Sequence, residues 1–148
     1  MKLIFTSDHA GIGLRKHLVG WANAQGHTVR EVGAPSTEAY DYPDAAEDAV
    51  PAVANGEVDF GVFICGSGIG ISIQANRHLS IRAANCVTPQ MAALARQHNH
   101  ANVLCLGERL VSPELAEEIL RTFLETEEDR ADRHQRRVNK LGQRHEKC

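Results

Sequence analysis

Short apolar runs alternate along this chain with longer stretches at helical spacing, and that alternation restricts the fold more than any other feature. Lys2–Ser7, 28–32, Phe60–Cys65, 81–85 and 102–106 read as strands. Their near-continuous apolar character suits strands buried on both faces, as inside a parallel sheet. Between them Leu14, Leu18, Trp21 and Ala22 recur at helical spacing, ending near Gly26. Residues 44–55, which contain Pro51, and 68–76, 89–97 and 113–124 supply four more helices. The order predicts an α/β fold: a doubly wound, Rossmann-like α/β/α sandwich on five parallel strands. Ligands bind such sheets beyond the carboxyl ends of the strands. The segments to search are therefore 7–11, 33–42, 65–70, 85–89 and 107–109.

At 148 residues the chain is long enough for one domain that needs neither disulfides nor metal to close its core. After Thr126 the composition turns charged. Residues 1–126 are read as the α/β domain and 127–148 as an appended basic helical tail. A formal net charge of −3 gives no general attraction to nucleic acid. No apolar run approaches the roughly 18 residues of a membrane span. Met1 to Phe5 is too short for a signal peptide and runs directly into Asp8-His9. Cys65, Cys86, Cys105 and Cys148 lie far apart with no C-x-x-C pair, which points to a reducing compartment, the cytoplasm.

The most informative loop is Cys65-Gly66-Ser67-Gly68-Ile69-Gly70-Ile71-Ser72. A strand runs into three alternating glycines that open a helix, an arrangement that lets backbone N–H groups approach an anion. The bland reading is a tight turn, which would explain one glycine but not three. A dinucleotide fingerprint is excluded, because the spacing is G-x-G-x-G and no Asp or Glu occurs between Asp59 and Glu108. A P-loop would need Gly-Lys-Ser/Thr. Cys65 is either a packed thiol or a chemical group, and its place between a strand's carboxyl end and a helix's amino end favours a thiolate.

His9, beside Asp8 at the end of the first strand, is a capping or core histidine, or a ligand group on a second loop. His98-Asn99 ends the fourth helix, where a histidine either complements the helix dipole or positions hydroxyls. In the tail, Arg133 and Arg137 share one helical face and could clamp a phosphate, although taken alone a solvated charged helix is the usual explanation. A nucleic-acid tail is disfavoured by Glu125, Glu127, Glu128 and Asp129 alongside it and by the lack of aromatic residues.

Taken together, these segments resemble the type B ribose-5-phosphate isomerases and their hexose-phosphate relatives. The matching pieces are Ser7-Asp8-His9-Ala10-Gly11, Asp41-Tyr42-Pro43, the Cys65–Ser72 loop, Ala75-Asn76, Ile81-Arg82-Ala83-Ala84, Arg96-Gln97-His98-Asn99, Asn102-Val103-Leu104, Gly107-Glu108-Arg109 and Arg133-His134-Gln135. They follow in order over nearly the whole chain. The resemblance implies a sugar-phosphate aldose–ketose isomerase that works without metal or cofactor as a homodimer or homotetramer.

It further implies that Cys65 is the base moving a proton between C1 and C2, because Ile71 stands where other members carry a glutamate. His98 would open the sugar ring, Asp8 and Asn99 would hold hydroxyls, and Tyr42 would line the pocket. His9, Arg109, Arg133 and Arg137 match phosphate-binding positions, some of them donated by a neighbouring subunit. N–H groups of Gly66, Gly68 and Gly70 would face the enediolate, with Ser67 shuttling a proton between its oxygens. The intact Asp8-His9 and His98-Asn99 pairs favour ribose 5-phosphate, with allose 6-phosphate as a secondary substrate. Ser80, where a glycine usually stands, and the extra Arg136 are departures that bear on sugar length.

Overall fold

The computed structural model describes residues 1–141; Arg144 and Cys148 lie outside the described residues. Five strands, β1 (Lys2–Ser7), β2 (Thr28–Glu31), β3 (Phe60–Cys65), β4 (Ala83–Asn85) and β5 (Val103–Gly107), form one parallel sheet in the order β2-β1-β3-β5-β4. The helices are α1 (Ile12–Ala24), α2 (Tyr42–Ala54), α3 (Ile69–Ala75), α4 (Pro89–Asn99), α5 (Pro113–Glu125) and α6 (Asp132–Leu141). A single 3-10 turn, His9–Gly11, precedes α1. No helix among the described residues is long and apolar enough to cross a membrane.

Strand order and handedness together decide which face each helix covers. The steps β1→β2 and β4→β5 run one way across the sheet, and β2→β3 and β3→β4 run the other. Right-handed crossovers therefore put α1 and α4 on one face and α2 and α3 on the opposite face. The core divides accordingly. Leu3, Phe5, Val62, Ile64, Leu104 and Leu106 pack with Leu18, Ala92, Ile119 and Phe123 from α1, α4 and α5. The alternate residues Ile4, Phe63, Cys65, Val103 and Cys105 pack with Ala49, Val50 and Ile71 from α2 and α3. Both faces are thus apolar, which is why the strands lack polar alternation.

The boundaries differ from expectation where side chains replace backbone partners. The expected strand over 81–85 begins only at Ala83. Arg82 N–H donates instead to Asn102 Oδ1, and Asn102 Nδ2 donates to the Ser80 carbonyl. Helix α4 runs two residues further than expected, through Asn99, and ends on His100 in the left-handed region, φ 49°. Helix α2 begins at Tyr42, with Pro43 in its first turn, where a missing N–H costs nothing.

The chain leaves β1 in one direction and β3 in the other. The carboxyl ends of these two neighbouring strands are therefore the switch point at which a doubly wound sheet opens a crevice. Asp8 and Cys65 stand there.

Candidate active site

Eight of the expected site residues meet at that crevice: Asp8, His9, Tyr42, Cys65, Gly66, Ser67, Gly70 and Arg109 line a cavity of about 230 Å³. Cys65 is its floor, only 4% exposed. The following loop turns on Gly68, whose φ of +75° is the left-handed conformation that glycine adopts without strain. Gly68 N–H donates to the Cys65 sulfur at 3.1 Å, and Ile69 N–H donates to Ser67 Oγ at 3.3 Å. The N–H groups of Gly66, Ser67 and Gly70 have no protein acceptor among the described residues. The loop's free N–H groups are therefore these three, while the expected Gly68 donor serves the sulfur.

The other walls are fixed by their own bonds. Asp8 Oδ1 accepts from Ala10 N–H at 2.9 Å and Gly11 N–H at 3.0 Å, capping the 3-10 turn and leaving Oδ2 for a ligand. Burial pushes the Asp8 carboxyl above its ordinary pKa, opposed by those two N–H groups and by His9 and Arg109. Nδ1 of His9 lies against the Tyr40 backbone at 3.1–3.2 Å, which directs Nε2 outward. Arg109 N–H donates to the Gly66 carbonyl at 3.1 Å, and its guanidinium lies over Gly66, where a Cβ would stand 3.1 Å from Nη1. The Tyr42 ring rests on Gly70, occupying the space a Cβ would need.

His98, Asn99, Arg133 and Arg137 are not brought to this cavity within one protomer. Helix α4 runs antiparallel to the strands, so its last turn lies at their amino ends. The five-residue β5 alone separates the two ends by roughly 16 Å. Within a single copy His98 therefore does not join Cys65 and Asp8. His98 instead stacks on His134 of α6, and exposed Arg133 and Arg137 stand on the same helix. Asn99 lines a separate cleft of about 400 Å³ with His78, Arg82 and Leu141.

Two supporting residues were not singled out in the sequence. Asn85, at the end of β4, donates from Nδ2 to the Ser67 carbonyl at 3.3 Å, holding the glycine loop from beneath. Glu108 Oε2 accepts from Leu14 N–H at 3.1 Å and so ties the Arg109 segment to the start of α1. The available signal was position: each is a polar residue closing an apolar strand at the ligand end.

Comparisons with known proteins place the chain in a family. The profile described as Ribose/Galactose Isomerase matches residues 3–141. Ribose-5-phosphate isomerase B of Escherichia coli is 44% identical over 140 residues, covering 95% of this chain and 93% of that protein. The crystal structure of a ribose 5-phosphate isomerase from Thermotoga maritima superposes with a TM-score of 0.93 at 45% identity, over 95% of this chain and 97% of that one. The type B ribose 5-phosphate isomerase of Trypanosoma brucei gives 0.91 at 43% identity, over 95% and 96%. The chain belongs to the ribose/galactose isomerase family.

Proposed function

We propose that this protein interconverts ribose 5-phosphate and ribulose 5-phosphate through an enediolate, with Cys65 as the base. The observation that carries the reading is the Cys65 sulfur on the floor of a crevice whose rim presents the free N–H groups of Gly66, Ser67 and Gly70. The thiolate removes the C2 proton of the open-chain aldose, leaving an enediolate, and the thiol returns a proton to C1 of the ketose. The negative charge that develops on O1 and O2 faces preorganised donors, each typically worth about 3–4 kcal/mol of barrier. Ser67 Oγ moves the proton between these oxygens, and Asp8 Oδ2 holds a sugar hydroxyl.

His9 and Arg109 take one side of the phosphate, whose binding energy orients the reacting carbons. The remaining groups come from a second copy. His98, Asn99, Arg133 and Arg137 stand at the far end of the sheet, so a homodimer that brings this end over the partner's Cys65 would complete two sites. In this reading the tail, residues 127–148, belongs to the site. Ile69 and Ile73 of α3 and Met91 and Leu94 of α4, all more than 40% exposed beside the edge strand β4, supply apolar surface for such a contact. The free thiols Cys65, Cys86 and Cys105 support a reducing, cytoplasmic setting.

Mixing the protein with ribose 5-phosphate and following ribulose 5-phosphate tests the proposal, with a panel of pentose and hexose phosphates to rank the substrates. Absence of turnover on every member of the panel would sink it.

A further inference from the structure

Behind His98 lies a group of ionisable residues that the reaction as written does not use. The His98 and His134 rings are parallel, 4° apart, with centroids 4.5 Å from each other. His134 is 4% exposed, and its Nε2 lies 3.3 Å from Asp129 Oδ2. Asp129 is itself tied to the His98 helix: its N–H donates to the Gln97 carbonyl at 3.1 Å, and its Oδ1 accepts from Ala131 N–H at 2.9 Å. The preceding residue, Glu128, pairs with buried Arg96 at 3.3 Å and with His100 at 3.6 Å. The strap from α5 to α6 is thus fastened to the last two turns of α4, the turns that present His98.

We propose that Asp129 and His134 are positioning residues that set the plane of the His98 ring and so govern opening of the cyclic sugar. The proposal rests on the ring-opening role given to His98 above. Asp129 fixes the His134 imidazole through Nε2, and the flat face of that ring is the surface against which His98 lies. Loss of water contact, together with the nearby charges of His98, Arg133 and Arg137, holds His134 below the ordinary histidine range against the pull of Asp129. Arg133 Nε–H also points at His134 Nε2, at 3.2 Å. That nitrogen cannot accept from Arg133 and donate to Asp129 at once; an Arg133 drawn onto a phosphate leaves Nε2 free, and the tautomer with its proton on Nε2 then donates to Asp129.

Ring opening can be measured apart from proton transfer. Ribose 5-phosphate is mostly a furanose, whereas ribulose 5-phosphate has its O5 esterified and stays open. Exchange of the ketose C1 proton with D2O therefore needs the Cys65 step without ring opening. Asp129→Ala and His134→Ala are expected to lower ribose 5-phosphate turnover about tenfold or more, with ketose exchange kept within about twofold of wild type. His134→Phe, which retains a flat ring, is expected to recover most of the lost turnover. Retained exchange also reports that each variant is folded and assembled. Unchanged turnover in His134→Ala would overturn the proposal, as would equal losses of turnover and exchange or no recovery in His134→Phe. His98→Ala distinguishes the underlying reading: if that variant turns over ribose 5-phosphate normally, the ring-opening role of His98 fails and the positioning role falls with it.

Discussion

The Gly68 N–H points at the Cys65 sulfur from 3.1 Å, so the residue that turns the loop also supplies a hydrogen bond to the proposed base. Such a bond strengthens as the sulfur gains negative charge, the form needed to take a carbon-bound proton. Cys65→Ser keeps the size and the hydrogen bond but substitutes a far weaker base. Turnover is expected to fall by at least about a hundredfold, the scale of a lost general base, with substrate affinity little changed. Iodoacetamide should inactivate the enzyme by labelling Cys65, with substrate protecting it. Burial pushes the Cys86 thiol up to about 11 and Cys105 well above its ordinary value, so neither should be labelled at neutral pH. Peptide mass spectrometry reads all three sites.

Gly68 and Gly70 tolerate a methyl group very differently. At Gly68 a Cβ would be strained by φ +75° and would lie 2.9 Å from the backbone carbon of Leu106, which cannot yield. Gly68→Ala should destabilise the fold by about 2 kcal/mol or more in denaturant titration. At Gly70 the obstacle is the Tyr42 ring at 2.8 Å, the mobile end of a half-exposed side chain. Gly70→Ala should leave stability within about 1 kcal/mol while raising KM several-fold by displacing a pocket wall.

The two glycine positions also illustrate what the sequence could and could not reveal. The strands were legible because burial on both faces leaves continuous apolar runs. The cysteine–glycine loop was legible because its chemistry is contiguous in the chain. The strand order was not, since β5 enters between β3 and β4 through pairings such as Phe63 with Cys105, which no local pattern encodes. The supporting bonds of Asn85 and Glu108 are hidden for the same reason. Their partners, Ser67 and Leu14, lie 18 and 94 residues away. The place of His98 follows from the direction of α4, yet its partner His134 becomes visible only once α6 has folded back against that helix.

Asp8 combines a structural and a chemical task, and pH separates them. Burial raises its folded-state pKa above the ordinary 3.8, so the folded chain holds that proton more tightly than the unfolded chain does. This favours the fold below pH 3.8 and is lost as pH rises through the folded value. Above that value, ionised Asp8 is a net burden. Asp8→Asn keeps an oxygen for the Ala10 and Gly11 N–H groups without the charge. Its Tm should exceed that of wild type by about 1–3 °C at pH 7, the gap narrowing as pH falls, while turnover drops. A variant less stable than wild type at pH 7 would count against the buried-charge account.

The proposed sharing of sites between two copies makes a quantitative prediction for mixtures. Cys65→Ser and His98→Ala homodimers should each be impaired, because every site lacks one group. In a heterodimer one site regains both Cys65 and His98, while the other has neither. Random exchange of equal amounts makes half the dimers mixed, so about a quarter of wild-type activity should return. No recovery after proven subunit exchange, or a fully active monomer in sedimentation, would place the site within one copy.

Arg133 and Arg137 stand one turn apart on the exposed face of α6, outside the cavity of their own protomer that holds Cys65. If they grip the phosphate of a substrate bound to the partner, each charge-assisted contact is worth about 1.5–3 kcal/mol. Replacing either with Ala should then raise KM about tenfold to a hundredfold for phosphorylated sugars. Weak activity on free ribose, which offers no phosphate, should hardly change. Arg133 also carries a 4.0 Å ion pair with Asp129, but both side chains are well exposed, so losing that pair should scarcely affect stability. A merely solvated helix predicts unchanged kinetics for both variants, and a nucleic-acid tail predicts changes in gel shifts alone. Unaltered KM in the Arg133→Ala, Arg137→Ala double variant, with its Tm intact, would remove the tail from the site.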